Sequence, residues 1–137
     1  MVYRSTEKVI EHFKDPHNAG KITDADAVAT EGSLACGDMI TIYLKETNGV
    51  IEDIKFESYG CPANIATASL MTDIVKGKTL EEVQMITWKT IVEGLGGFPL
   101  VKNHCSILAV ETLHSAIRKL QKEEEKEKGQ RVKAGRE

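Results

Sequence analysis

The clearest pattern in the chain is an alternation of apolar and polar residues along two stretches of its first half. Residues 39–45 alternate strictly, and residues 50–59 do so around their centre, which is typical of strands with one buried face. Asn48–Gly49 between them is a hairpin turn signal. A weaker strand is predicted over 28–34. We therefore expect a three-stranded antiparallel sheet that is covered on a single face.

The second half of the chain changes to helical periodicity. Pro62 suits the first turn of a helix that is rich in Ala, Ser and Thr, and Thr79–Glu82 has the sequence of a capping box. Helices are predicted at 5–13, 62–76, after Thr79, 88–92 and 106–122. In the first of these, Val9, Ile10 and Phe13 are spaced for one apolar face. Because strands precede most of the helices, the pattern predicts an α+β fold with helices packed on one face of the sheet.

Length and charge narrow the class of protein. The 137 residues predict one domain over 1–122, followed by a charged tail over 123–137 that is a frayed helix end or disordered. The net charge of -3 and the absence of a basic face argue against nucleic-acid binding. No apolar run is long enough to span a membrane, and the N-terminus has no secretory signal, so we expect a cytoplasmic protein.

Three cysteines lie at the ends of predicted elements. Cys36 lies in the turn between the first two strands, Cys61 lies just before the helix at 62, and Cys105 lies just before the last helix. No pair has the CxxC spacing of a zinc ribbon or a redox dithiol. From the residues alone, a site assembled by folding and a set of buried structural thiols are equally good interpretations.

The neighbours of the cysteines favour a site with mixed ligands. Gly37 and Gly60 would let the backbone approach a bulky inorganic group, and a helix N-terminus after Cys61 and Cys105 would favour thiolates. Asp38 and His104 are further candidate ligands, although Asp38 could simply cap a turn. Five candidates exceed the four of a closed structural zinc site, which indicates a site whose contents change.

These residues and several longer motifs resemble the IscU/NifU-type scaffold for iron–sulfur cluster assembly, from about Tyr3 to Leu120. The motifs that carry the resemblance are EHFKDPHNAG, GSLACGD, YGCPANIATASL, VKGKTLEE and VKNHCSILA.

The resemblance implies a function, a partner and a set of site residues. The chain would be a scaffold and carrier, not an enzyme, that accepts persulfide sulfur from a PLP-dependent cysteine desulfurase. It would bind iron, build a 2Fe–2S cluster and pass it to acceptor apoproteins. We expect Cys105 to be the sulfur acceptor and Asp38 the labile ligand. The implied ligands and the supporting lysine are Cys36, Asp38, Cys61, His104, Cys105 and Lys102.

Two departures from the family pattern bear on partners and packing. The family's Leu-Pro-Pro-Val-Lys segment, which a DnaK-type chaperone reads, is here Phe98–Lys102 with Leu100 in place of the second proline. Chaperone binding is therefore left open. The sequence after Cys61 also differs from the usual Cys-Gly-Ser-Ala. A homodimer around exposed clusters, with conversion to 4Fe–4S, is a further expectation.

Rival interpretations differ in the metal and in the reaction. A zinc-bound relative resembling SufU would relay sulfur through the same cysteines, but the insertion typical of that group is absent between Cys61 and Cys105. A cysteine hydrolase would need a better placed base than the adjacent His104. A structural zinc domain does not explain the surplus ligands. We predict that His12, His17 and His114 are not ligands, and that His114, on the core face of the last helix, is a hydrogen-bonded structural histidine.

Overall fold

The computed structural model describes residues 7–33, 37–60, 62–94 and 107–122. The strands are β1 (Ala27–Ser33), β2 (Asp38–Thr47) and β3 (Val50–Tyr59), in an antiparallel sheet of order β1-β2-β3. The helices of these ranges are α1 (Glu7–Lys14), α2 (Pro62–Val75), α3 (Leu80–Gln84), α4 (Trp88–Gly94) and α5 over residues 107–122. The predicted α+β class and three-stranded antiparallel sheet are confirmed.

A β-bulge sets which residues of β3 face the core. Lys45 pairs with Asp53 and Glu46 pairs with Ile51, so β3 has one extra residue opposite this step of β2. As a result Ile51 and Ile54, three positions apart, are both fully buried. In β2 the predicted alternation holds without interruption, and Ile40, Ile42 and Leu44 are all fully buried.

β1 turns its small residues inward. Ala27 and Ala29 belong to the core, whereas Val28 is 40% exposed. Lys119 on α5 donates a hydrogen bond from Nζ to the carbonyl oxygen of Val28 at 3.0 Å, so α5 lies against this strand. Among the described helices, none combines the length and the apolar character needed to cross a membrane.

α2 is the central helix and is buried on nearly all sides. It contacts α1, α4 and β3. Small side chains permit this close packing on several sides. The fully buried polar residues of the helix are Asn64, Thr67, Ser69 and Thr72. The predicted capping box that opens α3 is also confirmed, with Thr79 and Glu82 bonding reciprocally.

The segment after α1 runs along the outer edge of β3. The Gly20 N–H donates to the Phe56 carbonyl at 2.8 Å, and the Phe56 N–H donates to the Asn18 carbonyl at 3.0 Å. Asn18 has a positive φ of 60°, which lets the segment turn at this point. These bonds hold His17 beside α2.

α1 presents a polar residue to the interior. His12 is only 6% exposed, while Ile10 and Phe13 are each 42% exposed. The apolar face predicted from the spacing of residues 9, 10 and 13 is therefore not fully covered. The reason is that α1 packs against the polar, hydroxyl-lined side of α2, where an imidazole can be hydrogen-bonded.

Candidate functional site

The pairing of β1 with β2 defines the turn that connects the two strands. Ser33 pairs with Asp38, so residues 34–37, which include Cys36, form the connection. Gly37 has φ 83°, in the left-handed region where other residues are strained. A Cβ at position 37 would have nothing within 4 Å, so glycine is favoured there by the backbone conformation and not by tight packing.

The turn between β3 and α2 meets this first turn. β3 ends at Tyr59, opposite Met39. A Cβ on Gly60 would overlap Asp38 Oδ1 and lie 3.1 Å from the Gly37 carbonyl oxygen. Gly60 is therefore required for close approach. We call Gly37, Asp38 and Gly60 the glycine corner.

Asn64 supports the glycine corner from inside. Its side chain is fully buried, and Nδ2 donates to Ser58 Oγ at 2.8 Å and to the Tyr59 carbonyl at 3.4 Å. The same Nδ2 lies 3.0 Å from the position of a Cβ on Gly60. Asn64 Oδ1 has no hydrogen-bond partner in the described part of the chain. Asn64 thus ties the end of β3 to the first turn of α2.

Most of the predicted ligands lie outside the described residues. These are Cys36, Cys61, His104 and Cys105, together with Lys102. Of the predicted set, Asp38 is described, and it is half-buried at the start of β2. The structure therefore describes Gly37 after Cys36, and Gly60 and Pro62 on either side of Cys61, but leaves the ligand set as a prediction.

A second group of side chains, which the sequence analysis did not predict, meets between α1 and α2. His12, His17 and Asp73 each offer a ligand atom, and these atoms lie within 4.8 Å of one another. We call them the histidine cluster. A hydrogen bond and the charge of Asp73 raise the pKa of His17. The sequence predicted that His12 and His17 are not ligands, and it gave no sign of this contact because Asp73 is 56 residues beyond His17.

His114 on α5 differs from its expected role. We predicted a hydrogen-bonded structural histidine on the core face. Its Nε2 atom is buried and finds no hydrogen-bond partner among the described residues. A hydrogen-bonded role for that nitrogen is therefore not confirmed.

Comparison with known protein families assigns this chain to a family. The model of the NifU-like N terminal domain matches residues 4–127, which is nearly the whole chain. This chain belongs to the NifU-like N-terminal domain family. The predicted family resemblance is confirmed.

Curated relatives of this chain are named as scaffold proteins. "Iron-sulfur cluster assembly scaffold protein IscU 1" of Archaeoglobus fulgidus is 52% identical over 112 residues, covering 82% of this chain and 73% of the relative. The corresponding IscU of Aquifex aeolicus is 44% identical over 120 residues, covering 86% and 76%. That of Escherichia coli K12 is 43% identical over 116 residues, covering 82% and 90%.

Solved structures support the fold. The putative iron–sulfur cluster assembly scaffold protein for the SUF system from Fervidobacterium islandicum aligns with a TM-score of 0.66 and 29% identity, covering 82% of this chain and 95% of that one. A NifU-like N-terminal protein from Brucella abortus aligns with a TM-score of 0.69 at 24% identity, covering 85% and 93%. The second match bears on the fold alone.

Proposed function

We propose that this chain is a scaffold on which iron–sulfur clusters are assembled and from which they pass to acceptor apoproteins. The curated relatives carry the scaffold activity in their names. The observation that carries the proposal is the glycine corner, because Gly37 and Gly60 are the sequence neighbours of Cys36 and Cys61. Two cysteines that are distant in the sequence are thus each joined by a peptide bond to a residue of this one contact.

The proposed ligands combine soft and hard donors. The thiolates of Cys36, Cys61 and Cys105 suit iron–sulfur chemistry. Asp38 and His104 would supply the exchangeable oxygen and nitrogen donors. A carboxylate in place of one thiolate weakens the hold on the cluster, which is what a protein that must release its cargo requires.

The proposed sulfur step uses Cys105. Its thiolate attacks the outer sulfur of a persulfide on a cysteine desulfurase, a new S–S bond forms at Cys105, and the desulfurase cysteine leaves as a thiolate. The positive charge of Lys102, three residues earlier, favours the Cys105 thiolate. Release of sulfide from the new persulfide takes two electrons, which a dithiol would supply as it is oxidised to a disulfide.

The cargo and its partners follow from this chemistry. Iron joins the sulfide to give a 2Fe–2S cluster, and two such clusters in a homodimer would couple to one 4Fe–4S cluster on uptake of two electrons from an external reductant. The chain acts as a carrier and not as an enzyme. Contact with a DnaK-type chaperone stays open because of Leu100, and the cytoplasmic location and the domain limits at 122 and 123 stay predictions from the sequence.

Anaerobic reconstitution tests the proposal. The protein is mixed with iron, cysteine and a cysteine desulfurase, and the visible spectrum is recorded with the iron, sulfide and zinc contents. We expect charge-transfer bands with matched iron and sulfide, lost in Cys36→Ala, Cys61→Ala or Cys105→Ala and kept in Glu81→Ala, an exposed control on α3.

The zinc-bound alternative is decided by the same experiment. A SufU-like sulfur acceptor would be colourless, would hold one zinc ion per chain and would accelerate turnover of the desulfurase. That result would overturn the scaffold proposal.

A further inference from the structure

The histidine cluster brings together side chains from three parts of the chain. His12 comes from α1, His17 from the segment that follows it and Asp73 from the last turns of α2. The two imidazole rings are 4.7 Å apart between centroids and are tilted by 55°. His17 Nδ1 lies 2.5 Å from Asp73 Oδ2. Two imidazoles and a carboxylate are the donors that ions such as Zn²⁺ and Fe²⁺ take in open sites.

Neighbouring groups orient the donors of the histidine cluster. Ser69 Oγ shares a hydrogen bond of 2.7 Å with His12 Nδ1 and accepts the His17 backbone N–H at 2.8 Å. Asn18 Nδ2 donates to Asp73 Oδ1 at 2.9 Å, while the other carboxylate oxygen faces His17. Supporting hydrogen bonds of this kind fix ligand orientation in metal sites.

The cluster is accessible, and it is separate from the glycine corner. The side chains of His17 and Asp73 are each 39% exposed, so an ion and its water ligands can reach them. Asp73 lies eleven residues after Pro62, which puts it roughly 16 Å along the helix from the start of α2. The three donors are imidazoles and a carboxylate and include none of the proposed thiolates, so the occupancy of the cluster does not rest on the proposed function.

We propose that His12, His17 and Asp73 bind one divalent first-row transition metal ion, with water completing the coordination. The ion would replace the proton that His17 and Asp73 share. His17 Nδ1 and Asp73 Oδ2 would move apart, whereas the most distant pair of ligand atoms in the cluster would move closer together. Both separations would become about 3 Å, which is the spacing of donor atoms around a tetrahedral ion. The alternative is a hydrogen-bonded clamp that holds α1 on α2 and binds no metal.

Zinc binding to the full chain with Cys36, Cys61 and Cys105 all changed to serine tests the site. Competition with a chromophoric chelator measures affinity, and we expect one ion per chain. His17→Gln and Asp73→Asn should each weaken binding about tenfold or more. His114→Gln, a histidine outside the cluster, is the matched control and should leave the affinity unchanged.

A cobalt measurement on the wild-type chain keeps the test valid if the serine variant does not fold. The spectrum of Co²⁺ added to wild type is compared with that of His17→Gln, so that the contribution of the cysteines cancels. A difference spectrum without sulfur charge-transfer bands supports the site. Equal zinc affinity of the triple-serine chain with and without His17→Gln, or a flat cobalt difference spectrum, identifies a clamp and overturns the proposal when the variant shows only a lower Tm.

Discussion

Gly60 lies against Asp38 so closely that a single added methyl group would overlap the Asp38 carboxylate. Asp38 begins β2 directly after the turn that contains Cys36, and Gly60 lies in the turn that contains Cys61. The backbone of the second turn therefore leaves room for the Asp38 side chain at the start of β2. This contact can be disturbed by substitution without altering any proposed thiol ligand.

Gly60→Ala should destabilise the protein by about 1–3 kcal/mol, because the new Cβ displaces Asp38 and the Gly37 carbonyl. Urea unfolding of the cluster-free protein measures the loss. Gly49→Ala is the control, since Gly49 also has a positive φ, of 80°, but open space around its Cβ position. An equal loss in both variants would mean that backbone strain alone, and not the contact with Asp38, makes Gly60 necessary.

Asn64→Ala should cost about 1 kcal/mol of stability, since Ser58 and the Tyr59 carbonyl lose a buried hydrogen-bond partner. A double-mutant cycle with Ser58→Ala measures the coupling between the two side chains. Additive effects in the cycle would contradict the inferred tie between β3 and α2. The Asn64 Oδ1 atom limits the loss, because the variant also removes a buried acceptor that has no hydrogen-bond partner among the described residues.

Asp38→Ala should retain a reconstituted cluster longer than wild type during transfer to an acceptor apoprotein. The physical reason is that the carboxylate is the weakest proposed ligand and the point at which release begins. The transfer rate is followed by visible circular dichroism, with Glu81→Ala as an exposed carboxylate control. Equal or faster loss from Asp38→Ala would remove Asp38 from the release step.

The hydroxyl of Tyr43 should lose its proton at an unusually high pH. Its hydroxyl donates to the Glu57 carboxylate, and this hydrogen bond, with burial and the nearby charge, raises the pKa of Tyr43 to about 12. The folded pKa exceeds the unfolded value of about 10. The stabilisation is therefore complete below the unfolded pKa and is lost as the pH rises through the folded pKa.

Glu57→Gln should bring the pKa of Tyr43 down toward its ordinary value, because the charged acceptor is gone. Tyrosinate absorbance in the near ultraviolet follows the titration, and Tyr43→Phe identifies the signal among the three tyrosines. A late titration that persists in Glu57→Gln would assign the shift to burial instead.

The sheet was largely predictable because its signal is local. Alternation in residues 39–45 and the Asn48–Gly49 turn are visible within a few residues. The bulge opposite Lys45 was not visible, since a single extra residue in β3 has no distinctive sequence. The inward direction of β1 was equally hidden, because Ala27 and Ala29 are weaker markers of burial than the exposed Val28.

The residues of the candidate site likewise fall into those that a local sequence signal could predict and those that it could not. Asp38 could be predicted from its spacing to Cys36, and Gly60 from its position beside Cys61. Asn64 left only a trace, as a departure from the usual residues after the second cysteine. The histidine cluster left none, because His17 and Asp73 meet only after the segment at 18–20 has paired with β3.

That pairing also determines how the sheet can meet other chains. A strand edge with free backbone groups can act as a template for a neighbouring molecule. At Phe56 the chain occupies its own edge with Asn18 and Gly20. A variant that loses this segment would expose the edge, and concentration-dependent self-association through β3 would follow. We therefore expect the segment at residues 18–20 to limit aggregation of the folded protein through β3.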